Sequence, residues 1–439
     1  MSGVLWRGIA CAAIIATTTP ALAEPLGDDG AHVGVQSCAG NNCHGAVEPL
    51  SRSRVPQNEY LIWSQKDKHA KSYAVLLGDR AKRIGGNLGL TQPPEEATLC
   101  LDCHADNVPA DRRGPQFQLA DGVGCEACHG SAERWLGVHL TGVDHSTNLA
   151  AGMYPTDQPL ARAQRCLACH VGDDKRFVAH RMMGAGHPPM PFELDTYTAI
   201  EPAHFAVDQS YIDRKGQPND MKIWAVGQAV DVKRRMDLIL DPKNAPQGVQ
   251  AELSLFDCQS CHHSMAELQW QPGRSMGLAP GRIKLYDATL AMLRVAAERV
   301  APDTAAALRA HMLALHAATG KSWDDVRLEA SAVRDAANAL IPAIAAHNFD
   351  RADAVALADL VIASGVEGDD LDYSGAQQQV MALESIVAAL KNLNSAADTH
   401  IAGLNSALEG LYAAVADDQK YRPDAYAEAL KRFKAKLTP

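Results

Sequence analysis

From residue 271 onward, apolar positions recur every three or four residues. Ile283, Tyr286, Leu290, Leu293 and Ala297 fall on one helical face. Pro302-Asp303 breaks that segment and starts a second, and Gly320 ends the second. Ser322 with Asp325 forms a capping box for a third helix, which Pro342 should bend. Further helices are expected over 350–363, 374–392, 395–416 and 424–436, with Gly365, Gly368, Asp369 and Asp370 marking a loop. The spacing predicts an α-bundle of about six or seven helices over 271–439.

Residues 24–270 have a different texture. They are rich in loops and proline and show few clean helical periods. One exception is Glu59 to Leu77, which reads as a short helix with Trp63, His69 and Tyr73 near one side. Before this part, Arg7, a short apolar run from Gly8 to Ala16 and the small-x-small sequence at 21–23 read as a secretory signal peptide over 1–23. The run is too short to span a bilayer, which takes about 20 residues. An exported, periplasmic protein with no transmembrane segment after cleavage is the expectation.

The chain carries 52 acidic and 41 basic residues. Loss of Arg7 with the leader would take the net charge from −11 to −12. An acidic surface disfavours nucleic acid and anionic membranes.

The cysteines change the picture most. Cys11 lies in the leader, and the other ten fall into five pairs: Cys38/Cys43, Cys100/Cys103, Cys125/Cys128, Cys166/Cys169 and Cys258/Cys261. Disulfides are the ordinary expectation for an exported protein. Here, however, every second cysteine is followed by histidine: His44, His104, His129, His170 and His262. In C-x-x-C-H the two thiols add to the vinyl groups along one haem edge, and the adjacent imidazole ligates the iron. Structural zinc also uses C-x-x-C pairs, but it joins two half-sites and does not need a histidine after each pair. Four copies of the regular motif point to covalent haem c. The first pair, in "CAGNNCHGA" at 38–46, has four intervening residues instead of two. It reads as a fifth haem site with a stretched arch, with a disulfide as the alternative.

Five irons closed on both faces need five more histidines. The same part of the chain offers His32, His69, His139, His145, His180, His187, His204 and His263. Local context favours His69, His145, His187, His204 and His32 as distal ligands. His139 is an alternative to His145, and His180 reads as a pocket residue, with Arg181 beside it as a propionate partner or pocket rim. His263 follows the proximal His262 too closely to reach the other face of that ring. His311, His316, His347 and His400 read as structural residues of the bundle, with His311 as the candidate exception.

"GVGCEACHG" (122–130), "CLDCHA" (100–105), "WSQKDKHA" (63–70) and "MGAGHP" (183–188) resemble the multihaem cytochromes of the cytochrome c-554 and hydroxylamine oxidoreductase superfamily. The resemblance covers about residues 31–265. It implies closely stacked, mostly bis-histidine haems, with a histidine near one motif often ligating another motif's haem. This supports His69, His145 and His187 as distal ligands. The long arch of the first motif and the count of five motifs depart from the family pattern.

The fold expectation is therefore mainly α: a loop-rich pentahaem cytochrome domain over 24–270, then an α-helical bundle domain over 271–439. The expected function is electron relay through five covalently bound haem c groups, between redox protein partners or a quinol-oxidising system. The helical part would cover haem edges or make a homo-oligomer contact. Two alternatives stay open: an oxidoreductase acting on a small nitrogen or sulfur compound such as hydroxylamine, nitrite or tetrathionate at one open haem, and a structural or sensory haem protein.

Overall fold

The computed structural model describes residues 29–50, 55–246, 250–263, 276–367, 371–393 and 398–437. The leader at 1–23, with Cys11, lies outside them, as do residues 368–370 of the expected loop. The protein is mostly helical, with no strand among the described residues. No described helix is long and apolar enough to cross a membrane.

The bundle follows the sequence pattern closely. Helices run over Ala288–Val300, Pro302–Ala318, Trp323–Ala346, Arg351–Glu367, Tyr373–Asn392, Asp398–Ala414 and Pro423–Leu437. Pro302 opens its helix at the first turn, where a missing N–H costs nothing. Ser322 Oγ accepts the Asp325 N–H at 3.1 Å and caps the third helix, which continues through Pro342.

The centre of the core, however, comes from further upstream. Asp220–Leu240 is a helix of 21 residues, and Trp224, Ala225, Val226, Ala229 and Val232 on it are almost wholly buried. It packs against Trp323–Ala346, Ala288–Val300 and Pro159–His170. Where it meets the Leu194–Ile200 helix, a Cβ on Gly227 would lie 2.7 Å from Leu194 Cβ. One apolar core therefore runs from Ala163 to Leu437 and includes the helix that carries the fourth Cys–Cys–His motif. Arg234 ties the two together, donating to Gln164 O at 2.6 Å and Gly172 O at 3.2 Å.

The expected helix from Glu59 to Leu77 is interrupted. It runs over Glu59–Lys66, breaks at Asp67, and resumes as short 3-10 turns at His69–Lys71 and Ala74–Leu77. Asp67 adopts an extended backbone, and its carboxylate accepts the His69 backbone N–H at 2.9 Å. Asp67 prefers this local hydrogen bond to a helix interior, and the break re-aims His69.

Candidate haem sites

Three regular motifs lie on helices that end at their histidine, Thr98–His104, Cys125–His129 and Pro159–His170, and the fourth opens on the 3-10 turn Cys258–Ser260, two residues before His262. In the fifth motif His262 N–H closes onto Cys258 O at 2.8 Å. The stretched first motif makes the equivalent closure, with His44 N–H on Cys38 O at 3.1 Å. Its extra length is taken up by a turn in which Cys43 N–H and Gly45 N–H both donate to Gly40 O, at 2.8 and 3.0 Å. Asn41 and Asn42 point to solvent, while Cys38, Cys43 and His44 stay partly buried. A Cβ on Gly45 would sit 2.0 Å from Ala39 O, so this turn requires glycine there. None of the ten described cysteines forms a disulfide.

The motifs approach one another in pairs. The thiols of Cys38 and Cys125 lie beside each other, and so do those of Cys103 and Cys169. The first motif thus abuts the third, and the second abuts the fourth. Glu126, the residue after Cys125, sets the first contact. Its buried carboxylate accepts the N–H groups of Val33 (2.9 Å), Gly34 (2.8 Å) and Ala132 (2.7 Å). The segment leading into Cys38 is thereby pinned to the third motif.

All five motif histidines face a second histidine. The ring centroids lie 6.0 Å apart for His44 and His139, 6.4 Å for His104 and His187, 6.2 Å for His129 and His204, 6.2 Å for His170 and His69, and 6.0 Å for His262 and His180. A metal about 2 Å from a nitrogen of each ring puts the two centroids about 6 Å apart. The five pairs fit that arrangement. Two of the motif rings are also held neutral with a free lone pair, as ligation requires. Burial, with the facing His204, holds His129 down to about 3, and burial, with the facing His69, holds His170 to about 4.

The structure thus brings His69, His187 and His204 against motif histidines, and it does the same for His139 and His180. His145 instead meets Asp157 Oδ2 at 3.1 Å. His32 is buried, with Nδ1 at 2.6 Å from Asp106 Oδ2, and its ring meets the edge of Phe117. Among the described ring contacts neither His145 nor His32 faces a motif histidine. Two rings of the pairs are backed by carboxylates: His44 Nδ1 lies 2.9 Å from Glu59 Oε2, and His69 Nδ1 lies 3.0 Å from Asp67 Oδ1. These hydrogen bonds raise the affinity of both imidazoles for protons.

The fifth motif rests on buried charge. Asp257 accepts the Ser260 N–H at 3.0 Å, and its own N–H donates to Lys284 O at 2.9 Å. Lys284 ion-pairs with Asp287 at 2.7 Å and with Asp372, and His316 donates to Asp287 at 2.7 Å. Burial, reinforced by the Asp372 carboxylate, pushes the Asp257 carboxyl up to about 7. The folded protein therefore holds a proton there that the unfolded chain releases near pH ~4. Stability from this group is lost as pH rises from about 4 to about 7. Asp257→Asn keeps an acceptor for Ser260 and removes the charge. Urea midpoints measured between pH 5 and 8 should fall less steeply in this variant, with a gain at pH 8 on the order of a few kcal/mol.

Repeated Cys–Cys–His motifs with a facing imidazole define a c-type cytochrome, a protein that holds haem c covalently and carries electrons. Residues 37–130, which span the first three motifs, match the family model for cytochrome c554 and c-prime. No curated protein and no solved structure matches the chain.

Proposed function

We propose that the protein is a periplasmic pentahaem electron carrier in which every iron has two histidine ligands. The observation that carries this reading is the set of five imidazole pairs, one per motif. Thioethers from Cys38 and Cys43, Cys100 and Cys103, Cys125 and Cys128, Cys166 and Cys169, and Cys258 and Cys261 would hold the five haems. The axial pairs would be His44 with His139, His104 with His187, His129 with His204, His170 with His69, and His262 with His180. His145 and His32, whose sequence context suggests ligation, are here assigned to structural pairing with Asp157 and Asp106.

When bound, haem supplies a one-electron iron couple whose potential follows its ligands, burial and hydrogen bonds. What the chain contributes is spacing and closure. Cys38 lies beside Cys125, Cys103 beside Cys169, and Cys128 near Cys166, so site one neighbours three, two neighbours four, and three neighbours four. The short segment from His180 to His187 joins site five to two. The relay order is therefore one, three, four, two, five. A histidine on both sides of each iron leaves no position for a small substrate, which favours the carrier over an enzyme acting on nitrogen or sulfur compounds.

Single alanine variants test the ligand set. His139→Ala and His180→Ala should each convert one ferric iron from low spin to high spin in the EPR spectrum. His145→Ala and His32→Ala should leave all irons low-spin. The reverse pattern would refute the assignment.

A further inference from the structure

We propose that Glu59 and Asp67 are positioning residues that lower the potentials of the haems held by His44 and His69, so that sites one and four are the electron-rich members of the relay. The inference rests on the ligand reading above and extends it to the groups behind the ligands.

The imidazole backing differs between sites. His44 Nδ1 faces the Glu59 carboxylate at 2.9 Å, and His69 Nδ1 faces that of Asp67 at 3.0 Å. At site two, by contrast, both rings donate to neutral backbone carbonyls: His104 to Ser72 O at 3.0 Å and His187 to Pro188 O at 2.8 Å. Both carboxylates are built in. Glu59 Oε1 accepts the Gln57 N–H at 3.1 Å, and Gln57 holds a left-handed φ of 60° to present it. Asp67 is buried, and its Oδ1 also accepts the His69 backbone N–H. Glu201 adds a second acid beside His69, the three ligand atoms of Asp67, His69 and Glu201 lying within 4.8 Å of one another.

A ring N–H given to a carboxylate makes the other ring nitrogen a stronger donor. A stronger axial donor stabilises the ferric over the ferrous ion and lowers the potential. A neutral carbonyl does this less. Site four is thus poised below its neighbour, site two, and an electron passes from four to two.

The test is a spectroelectrochemical titration of the intact haem-loaded protein. Glu59→Gln and Asp67→Asn should each move one component of the titration to more positive potential and leave the rest in place. The double variant should move two. The low-spin EPR signal of the affected site should shift as well, with five haems retained by pyridine haemochrome. Unmoved components in both variants would overturn the proposal. So would loss of a haem, because the carboxylate would then assemble the site rather than tune it. His44→Ala separates the two readings. If it leaves every iron low-spin, the ligand assignment has failed. If it creates a high-spin iron while Glu59→Gln moves nothing, only the tuning has failed.

Discussion

Replacing both Cys38 and Cys43 by serine should lower the haem count from five to four per chain. A thioether is the only covalent hold a haem has, and the first site has no regular motif to fall back on. The arch closes through the same backbone contact as a regular motif, His44 N–H on the first cysteine's carbonyl. The two asparagines that lengthen it are exposed. Deleting Asn41 and Asn42 would restore the regular spacing as Cys-Ala-Gly-Cys-His, and that variant should keep all five haems. Pyridine haemochrome and intact mass read both outcomes. If the serine variant has the same count as the parent, the pair carries no haem.

Trp224→Ala should cost about 3–5 kcal/mol of stability, the usual range for emptying an aromatic site in a packed core. Trp224 is fully buried on the helix around which the core is built. Leu328→Ala, on an exposed face of Trp323–Ala346, should stay within about 0.5 kcal/mol. The motif helix Pro159–His170 packs on the same central helix. Denaturant curves followed by far-ultraviolet circular dichroism and by haem absorption should therefore shift together in Trp224→Ala. A shift in one probe alone would show that the haem-bearing part and the bundle unfold independently.

Legibility varied with the range of the interactions. The motif cysteines and histidines are local patterns and could be read directly. So were the helices after residue 288, through recurring apolar positions and terminal signals such as Pro302 and Ser322. The Asp220–Leu240 helix was harder to see because it is buried on nearly all sides. Its apolar residues form no stripe, so the 3.6-residue period is lost. The facing histidines were legible only in part, since each pair joins positions far apart in sequence. His139 and His145 share a loop and differ in what they face: His44 for one and Asp157 for the other. No local signal separates them. For His180 the neighbouring Arg181 and His187 suggested a pocket, whereas the ring faces His262. Two acidic residues carry a sequence signal of their own. Asp67 stands two residues before His69, and Glu126 lies inside the third motif, where an acid with no exposed role marks a buried anchor.

The central claim is that five haems are each closed by two histidines. Quantitative EPR of the oxidised protein, normalised to the haem count, tests it most directly. The expected result is five haems per chain, all low-spin ferric, with no change on adding nitrite or hydroxylamine. A count of four, or a high-spin ferric signal that shifts with either compound, would contradict it.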